Sequence, residues 1–275
     1  MAYRKSAPIP SDEGEYPILP RPGHQMRKTL SLLAIMLAVG VSHAHADTYT
    51  KQGLVEPKLH LAGHRKVPTV ALTFDACMGA TDPRILDELV TQRIPATIFV
   101  TARWLKHNAA TFAILNAHPE LFQIENHGEN HIPAVDVPIK IYGIAAAGSP
   151  DAVAREINGG TNAILAAGAP KPQWYRDATA VYSPAAISQI RALGYRVAGF
   201  SVNGDGGSLL GVEATVRSFT SAKDGDVIIA HINQPTHQAG EGVVKGIEAL
   251  RAKGYQFVRL GDQPMDDEKA VKIGG

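Results

Sequence analysis

A regular alternation of short apolar runs with amphipathic segments, beginning at Thr69, is the feature that most constrains the fold. The runs are rich in Val, Ile, Phe and Thr, a composition that predicts buried strands, and the segments between them have the apolar period of helices. Strands joined by helical crossovers pair in parallel, with the helices covering the sheet. The predicted strands are residues 69–74, 96–100, 121–125, 173–176, 195–202, 226–232 and 256–260.

Start signals support the predicted helices. Asp82 and Ser183 can cap helices, and each is followed by a proline, which suits the first helical turn. The uninterrupted alternation predicts one α/β domain over residues 66–262. A closed or nearly closed barrel is expected, with a doubly wound open sheet as the alternative. The predicted helices are residues 82–92, 103–117, 150–167, 183–194, 212–222 and 240–253.

The N-terminus is predicted to lie outside this domain. Residues 1–25 are polar and proline-rich, typical of a disordered segment or a mis-assigned start. Residues 26–46 have a basic start, a short apolar centre and small residues, Ala44 and Ala46, at the positions a signal peptidase requires. The apolar centre is shorter than the roughly 20 residues of a membrane span. An uncleaved anchor or a buried helix is the alternative.

The signal peptide predicts an exported protein, periplasmic or extracellular, with no stable membrane span after cleavage. Residues 263–275 are charged, end in glycine and are predicted to be a flexible tail. The 275 residues hold 27 basic and 26 acidic side chains, a formal charge of +1. This balance argues against a basic nucleic-acid-binding surface. The single cysteine, Cys77, excludes an internal disulfide and a cysteine-rich zinc module.

Ionisable side chains follow five of the predicted strands. Because catalytic pockets of α/β barrels form where the strands end, this distribution predicts an active site at that rim. Each residue taken alone is also compatible with an ordinary polar loop. The five are Asp75, His127, Arg176, Asp205 and His231.

His127 and His131 give the sharpest signal. Two histidines four residues apart lie on one face if the segment turns as a helix, and such a pair can bind one zinc ion. Two solvent-facing loop histidines are the alternative. Cys77 is predicted to be a small, half-buried packing residue, with a redox or soft metal-ligand role as the alternative. Asp82 could reach a metal, although N-capping explains it equally well.

Residues 73–75 read Thr-Phe-Asp and residues 127–131 read His-Gly-Glu-Asn-His. These segments resemble the first two motifs of the NodB-type polysaccharide deacetylases, carbohydrate esterase family four. The resemblance continues in order over about residues 67–262. It implies a single-domain, distorted (β/α)7 barrel that uses a divalent metal to remove acetyl groups from polysaccharides. Arg176, Asp205 and His231 occupy the places of the third, fourth and fifth motifs.

The chain departs from the family pattern at several motif positions. In the family a second aspartate usually follows the first and binds the metal, and this chain has Ala76 in its place. Gly128 replaces a serine or threonine, Asp-Ala-Thr follows Arg176 in place of Pro-Pro-Tyr, and no tryptophan follows Asp205. A subgroup that reads Thr-Phe-Asp-Ala-Cys is the nearest match.

The resemblance implies roles for the rim residues in amide hydrolysis. Asp75 would be the base that takes the proton of water, and Arg176 would orient it and keep it ionised. His231 would protonate the leaving nitrogen, and Asp205 would keep His231 protonated. A backbone N–H near Ala178 would help to bind the oxyanion.

His127 and His131 would hold the metal, expected to be zinc with cobalt or nickel as alternatives. Ala76 leaves the third ligand open: Asp75 itself, with the base lost or replaced, Asp82, or water.

The predicted activity is removal of acetyl groups from N-acetylated amino sugars of a polysaccharide, such as peptidoglycan or a surface glycan. A noncatalytic, metal-poor glycan-binding relative and a small-amide hydrolase of the same fold are the alternatives.

Overall fold

Strand β1 (Thr69–Ala76) is the centre of a parallel sheet in the computed structural model, which describes residues 53–266. The predicted extension 1–25 and signal peptide 26–46 lie outside the described residues. The remaining strands of the sheet are β2 (Ala96–Val100), β3 (Phe122–Asn126), β6 (Trp174–Tyr175), β7 (Arg196–Val197), β8 (Val202–Asn203), β9 (Val227–His231) and β10 (Gln256–Val258). A separate antiparallel hairpin consists of β4 (Lys140–Ile141) and β5 (Ile144–Ala145).

The strands follow the order β7-β6-β3-β2-β1-β9-β8, and β10 pairs with the start of β1. Every pair in this sheet is parallel. The two strands at the ends of the order, β7 and β8, are consecutive in the chain, so the sheet curls back on itself into an incompletely closed barrel. The predicted α/β class and distorted (β/α)7 barrel are confirmed.

Seven α-helices are found among the described residues. Two of them begin at the predicted caps: the Asp82 carboxylate accepts from Arg84 N, and the Ser183 hydroxyl accepts from Ala186 N. Within residues 53–266, no helix combines the length and apolar composition needed to cross a lipid bilayer. The helices are α1 (Pro83–Thr91), α2 (Ala102–His107), α3 (Ala109–Asn116), α4 (Pro150–Ala166), α5 (Pro184–Ala192), α6 (Val212–Thr220) and α7 (Ala239–Ala252).

The side chains of β1 alternate between two cores, as the period of two in a strand requires. Val70, Leu72, Phe74 and Ala76 belong to the large cluster packed under the helices. Ala71 belongs to the cluster inside the barrel, together with side chains of other strands. The odd-numbered positions of β1 therefore face the barrel interior, which decides which residues reach the site.

Two predicted elements are each divided in the structure. The predicted helix 103–117 breaks at Asn108, whose side-chain amide donates to Gly79 O while its carbonyl oxygen accepts from Thr81 N. The predicted strand 195–202 becomes β7 and β8, because Phe200 N donates to Pro57 O between them. Both breaks arise from contacts with segments distant in the sequence.

The packed region extends beyond the predicted limits of residues 66 and 262. Leu59 and Leu61 are buried in the interior cluster with Met265. Leu61 and Met265 also form an antiparallel bridge. The start of the predicted tail 263–275 is therefore packed, and residues 267–275 lie outside the described part.

Candidate active site at the carboxyl ends of the strands

Asp75 and Arg176 form a buried ion pair inside the barrel. One Arg176 Nη donates to Asp75 Oδ1 at 2.8 Å and to the Thr73 hydroxyl at 3.0 Å, and the other donates to Gly199 O at 3.0 Å. The guanidinium also stacks on the Phe99 ring, 4.2 Å from its centroid. Arg176 is fully buried, so these contacts fix its position and that of Asp75.

This environment keeps Asp75 ionised. Burial raises the pKa of the carboxyl, but the charges of Arg176, His127 and His231 outweigh burial and hold the pKa below its usual value. A buried carboxylate that remains charged has the protonation state required of a general base.

Asp205 and His231 form a second pair beside the first. His231 Nδ1 lies 3.0 Å from Asp205 Oδ1, and the backbone N–H of His231 donates to Asp205 Oδ2 at 2.7 Å. Burial lowers the pKa of His231, but the fully buried Asp205 outweighs it and raises the pKa well above the usual value. Because Asp75 and His231 are register partners on β1 and β9, a candidate base and a candidate acid are neighbours at the rim.

His127 follows β3, and its two ring nitrogens have different surroundings. Nδ1 lies 2.8 Å from Arg176 O, and since a carbonyl only accepts, Nδ1 carries a proton. Nε2 lies 3.4 Å from Cys77 Sγ and 3.7 Å from Asp75 Oδ2. Burial lowers the pKa of His127, but Asp75 and Cys77 outweigh it and raise the pKa to about 9.

His131 reaches the site from a loop. The expectation that a helical turn brings His127 and His131 together is wrong, because no helix covers this segment and both Gly128 and His131 have left-handed backbones, with φ of 89° and 63°. The two rings nevertheless meet edge to face, with centroids 5.1 Å apart. Among residues 53–266, nothing forms a hydrogen bond with the buried Nε2 of His131.

Cys77 is the residue whose position the sequence did not reveal. It was predicted to be a packing residue, yet its sulfur and one nitrogen each from His127 and His131 all lie within 4.8 Å of one another. Burial raises the pKa of the thiol, but His127 outweighs it and lowers the pKa well below the usual value. Within the described part of the chain, these three residues are the group whose side-chain atoms lie close enough together to hold a metal ion.

Asp82, the proposed alternative ligand, does not join this group. Its two carboxylate oxygens are occupied by the Arg84 side chain, at 2.9 Å and 2.5 Å. Arg84 in turn donates to Pro235 O and His237 O. The structure therefore gives Asp82 the N-capping role that was the other interpretation, and adds an ion pair with Arg84.

Glu156 and Asn126 hold the histidine loop, and sequence reasoning missed both. Glu156 is buried on α4, where its Oε1 accepts from Asn130 N at 2.8 Å and Ile132 N at 3.1 Å. Asn126 Oδ1 accepts from Gly128 N at 2.7 Å. A carboxylate on the apolar face of a predicted helix was the available signal for Glu156.

The segment after Arg176 is ordered by Asp177. Its carboxylate accepts from Ala134 N at 2.7 Å and Thr179 N at 2.8 Å, and burial raises its pKa to about 6. Asp177 N donates to the Tyr182 hydroxyl at 3.0 Å. The N–H of Ala178, the predicted oxyanion donor, lies in the chain between those of Asp177 and Thr179, both of which donate hydrogen bonds.

Comparisons with known proteins identify the family to which this fold belongs. The family model "Polysaccharide deacetylase" matches residues 62–198. A family-four carbohydrate esterase pseudoenzyme from Bacillus anthracis has a similar structure, with 19% identity and a TM-score of 0.61 over 73% of this chain and 66% of that one. PdaA of Bacillus subtilis, a family 4 carbohydrate esterase, has 22% identity and a TM-score of 0.59 over 79% of this chain and 88% of that one.

A "T48 deacetylase with substrate" is 26% identical, with a TM-score of 0.56 over 71% of this chain and 89% of that one. A comparison with curated protein sequences finds no match. The fold is that of the NodB-type hydrolases. The chain belongs to the polysaccharide deacetylase family, carbohydrate esterase family four.

Proposed function

We propose that this protein is an exported, metal-dependent hydrolase that removes acetyl groups from the N-acetylated amino sugars of a polysaccharide, peptidoglycan or a surface glycan. The observation that carries the proposal is the pairing of Asp75 with Arg176 beside that of His231 with Asp205. One pair keeps a carboxylate charged and the other keeps an imidazole protonated. A noncatalytic binder has no need of such a set.

The donor set fits a divalent metal. The Nε2 atom of His131 is buried without a hydrogen-bond partner among the described residues. The Nδ1 of His127 is held by Arg176 O, and its Nε2 lies beside Cys77 Sγ. A hydrogen bond to the second ring nitrogen is the usual arrangement of a metal-binding histidine. A divalent metal held there would polarise the acetamide carbonyl and lower the pKa of water.

The protein's own residues account for the proton transfers. Asp75 takes a proton from the attacking water, whose oxygen forms the new bond to the carbonyl carbon. His231 gives its Nε2 proton to the amine nitrogen as the carbon–nitrogen bond breaks, and acetate and the free amino sugar are the products. Arg176 positions Asp75, and Asp205 positions His231 through Nδ1.

Acetate release from N-acetylglucosamine oligomers by the purified full chain tests the activity. Asp75→Asn should lower the rate by roughly 10²–10⁴-fold, the usual contribution of a general base. Because it leaves the buried Arg176 without its charged partner, circular dichroism is recorded at a temperature at which the variant is folded. A His127→Ala, His131→Ala double variant should lose both metal and activity. His118→Ala is the matched control, because its half-exposed side chain lies outside the site.

A second candidate, a noncatalytic glycan-binding relative, is favoured by Ala76 and by the similarity to a pseudoenzyme. It predicts saturable oligosaccharide binding with no acetate release at any supply of zinc, cobalt or nickel. Metal binding with no activity on sugars would instead direct the search to small amides.

Export has a separate test. The N-terminal residue of protein recovered outside the cytoplasm should be Asp47, directly after the predicted cleavage site. Recovery of the intact N-terminus in the cytoplasm alone would contradict export.

A further inference from the structure

The register of β1 decides which side chain after Asp75 can enter the barrel. The strand continues through Ala76, which pairs with Val100, and the Ala76 side chain is buried in the core under the helices. The next residue, Cys77, follows the end of the strand, and its sulfur lies 3.4 Å from His127 Nε2. An aspartate at position 76 would point into an apolar core in this register.

The backbone at Cys77 is fixed by neighbouring segments. Its carbonyl accepts from the Thr101 hydroxyl at 2.5 Å, and Asp75 O accepts from Ile232 N at 3.1 Å. The Cys77 side chain is 8% exposed. Its sulfur is therefore held at the inner edge of the rim.

The distances suit one small ion. Cys77 Sγ and His127 Nε2 are 3.4 Å apart, and one atom from each of Cys77, His127 and His131 lies within 4.8 Å of the others. Bond lengths of about 2.0–2.3 Å at a tetrahedral zinc place sulfur and nitrogen ligands roughly 3.5 Å apart. The pair already has this spacing, and a ring nitrogen of His131 supplies the third donor.

We infer that Cys77 is the third ligand of the metal site, so that this chain binds zinc through one thiolate sulfur and two imidazole nitrogens while Asp75 remains free as the base. The inference rests on the proposed metal-dependent function and deepens it. On binding, the thiol proton is released to solvent as the sulfur–metal bond forms. A thiolate favours zinc over magnesium, calcium and manganese, which prefer oxygen ligands.

The test compares the full-length wild type with Cys77→Ser, Cys77→Asp and Ala76→Asp. Each protein is stripped of metal and titrated with zinc against a chromophoric chelator, and then with cobalt under an absorbance spectrometer. Wild type should bind one zinc and show a cobalt–thiolate charge-transfer band in the near ultraviolet. Cys77→Ser should lose the band and more than about 100-fold in zinc affinity, beyond the loss typical of residues that only support a ligand.

The two aspartate variants test whether a carboxylate can bind zinc only from position 77 or also from position 76. Cys77→Asp should recover zinc binding without the charge-transfer band, because it places a ligand at the inward position. Ala76→Asp in the wild-type background should not tighten zinc binding, and it should destabilise the fold by burying a charge in an apolar core. Folding of each variant is checked by its denaturation midpoint.

A wild-type cobalt complex without the charge-transfer band, or unchanged zinc affinity in a folded Cys77→Ser protein, would overturn the inference. So would an acetylated Cys77 trapped from metal-free protein, which would make the cysteine a nucleophile. The inference and the proposed function can fail separately. A cobalt complex that shows the band, in a protein that releases no acetate, would support Cys77 as a ligand and contradict the deacetylase activity. Acetate release by a protein whose cobalt complex lacks the band would support the activity and contradict the ligand.

Discussion

Two buried carboxylates on the inner face of the sheet have opposite electrostatic behaviour. Asp75 on β1 and Glu125 on β3 are both register partners of Phe99 on the strand between them, so they occupy one row. Their exposures are 3% and 2%. Asp75 has its pKa lowered, whereas burial raises the pKa of Glu125 to about 7.

The pKa difference arises from the groups that contact each carboxylate. Glu125 accepts N–H groups from the Gln123 side chain and from the backbone of Gln173 and Trp174, and these donors only partly offset burial. Asp75 faces the fixed guanidinium of Arg176. Burial with neutral donors alone therefore raises the pKa of Glu125, whereas the charge of Arg176, with those of His127 and His231, holds the pKa of Asp75 low.

Arg176→Met should remove the difference in pKa behaviour between Asp75 and Glu125. We expect the largest effect from this variant. Removing one partner of a buried ion pair leaves an uncompensated charge, so we expect a loss of about 3–5 kcal/mol in unfolding free energy and a raised Asp75 pKa. Urea denaturation and the pH dependence of acetate release measure both. Arg196→Met, which removes an arginine stacked on Trp174, is the control and should cost much less. Equal losses of unfolding free energy in the two variants would contradict a particular contribution of the Asp75–Arg176 pair to stability.

Glu125→Gln should remove a pH dependence that the wild type shows. The folded-state pKa of about 7 lies above the ordinary 4.5, so the folded protein binds more protons between these values. Wild-type stability should therefore fall as pH rises from about 4.5 to 7, by about 3 kcal/mol relative to the variant. Paired urea titrations at several pH values test this, and parallel curves for the two proteins would refute it.

Asp205→Asn extends the comparison to the histidine. Asp205 raises the pKa of His231 well above its usual value, so His231 stays protonated at neutral pH and loses its proton only as pH rises further. Without that carboxylate the alkaline fall in kcat should move to lower pH. At pH 8 the activity should fall by roughly 10², the lower end of what a general acid contributes. An unshifted profile would assign the acid to another group.

The smallest effect concerns a third buried carboxylate, Glu156. Gly128 and Gly168 have nearly the same backbone, with φ of 89° and 88°. A Cβ at Gly128 would meet the Glu156 carboxylate, whereas one at Gly168 would have no heavy atom within 4 Å. Gly168→Ala should cost about 1 kcal/mol from the left-handed backbone alone.

Gly128→Ala should cost more than this and also weaken zinc binding, because Glu156 holds the histidine loop. Thermal unfolding and zinc titration of the two variants give the comparison. Equal stabilities and equal zinc affinities of the two variants would show that the Glu156 side chain can move aside without disturbing the histidine loop.

Much of the fold follows from local sequence. The strand at Thr69, the caps at Asp82 and Ser183 and the end of β3 before His127 were all predictable, because β-branched runs and capping side chains act within a few residues. The rim positions of Asp75, Arg176, Asp205 and His231 were predictable for a related reason. Parallel strands end at one edge of a sheet, so residues that follow strands gather there.

Other features were not predictable from local pattern. The break at Asn108 depends on the loop at Gly79, and the split of the predicted strand 195–202 depends on Pro57. The reach of Glu156 to the histidine loop joins residues more than twenty positions apart. No window of neighbouring residues contains these contacts.

The sequence by itself determined the βα alternation, the family and the side chains available for chemistry. Only the tertiary structure decided that His127 and His131 meet through a left-handed loop and that Cys77, not Asp82, joins them. The physical reason is that composition and period fix which face of a strand or helix is apolar. The residue on which β1 ends, and so the side chain that turns inward, is set by hydrogen bonds to strands elsewhere in the chain.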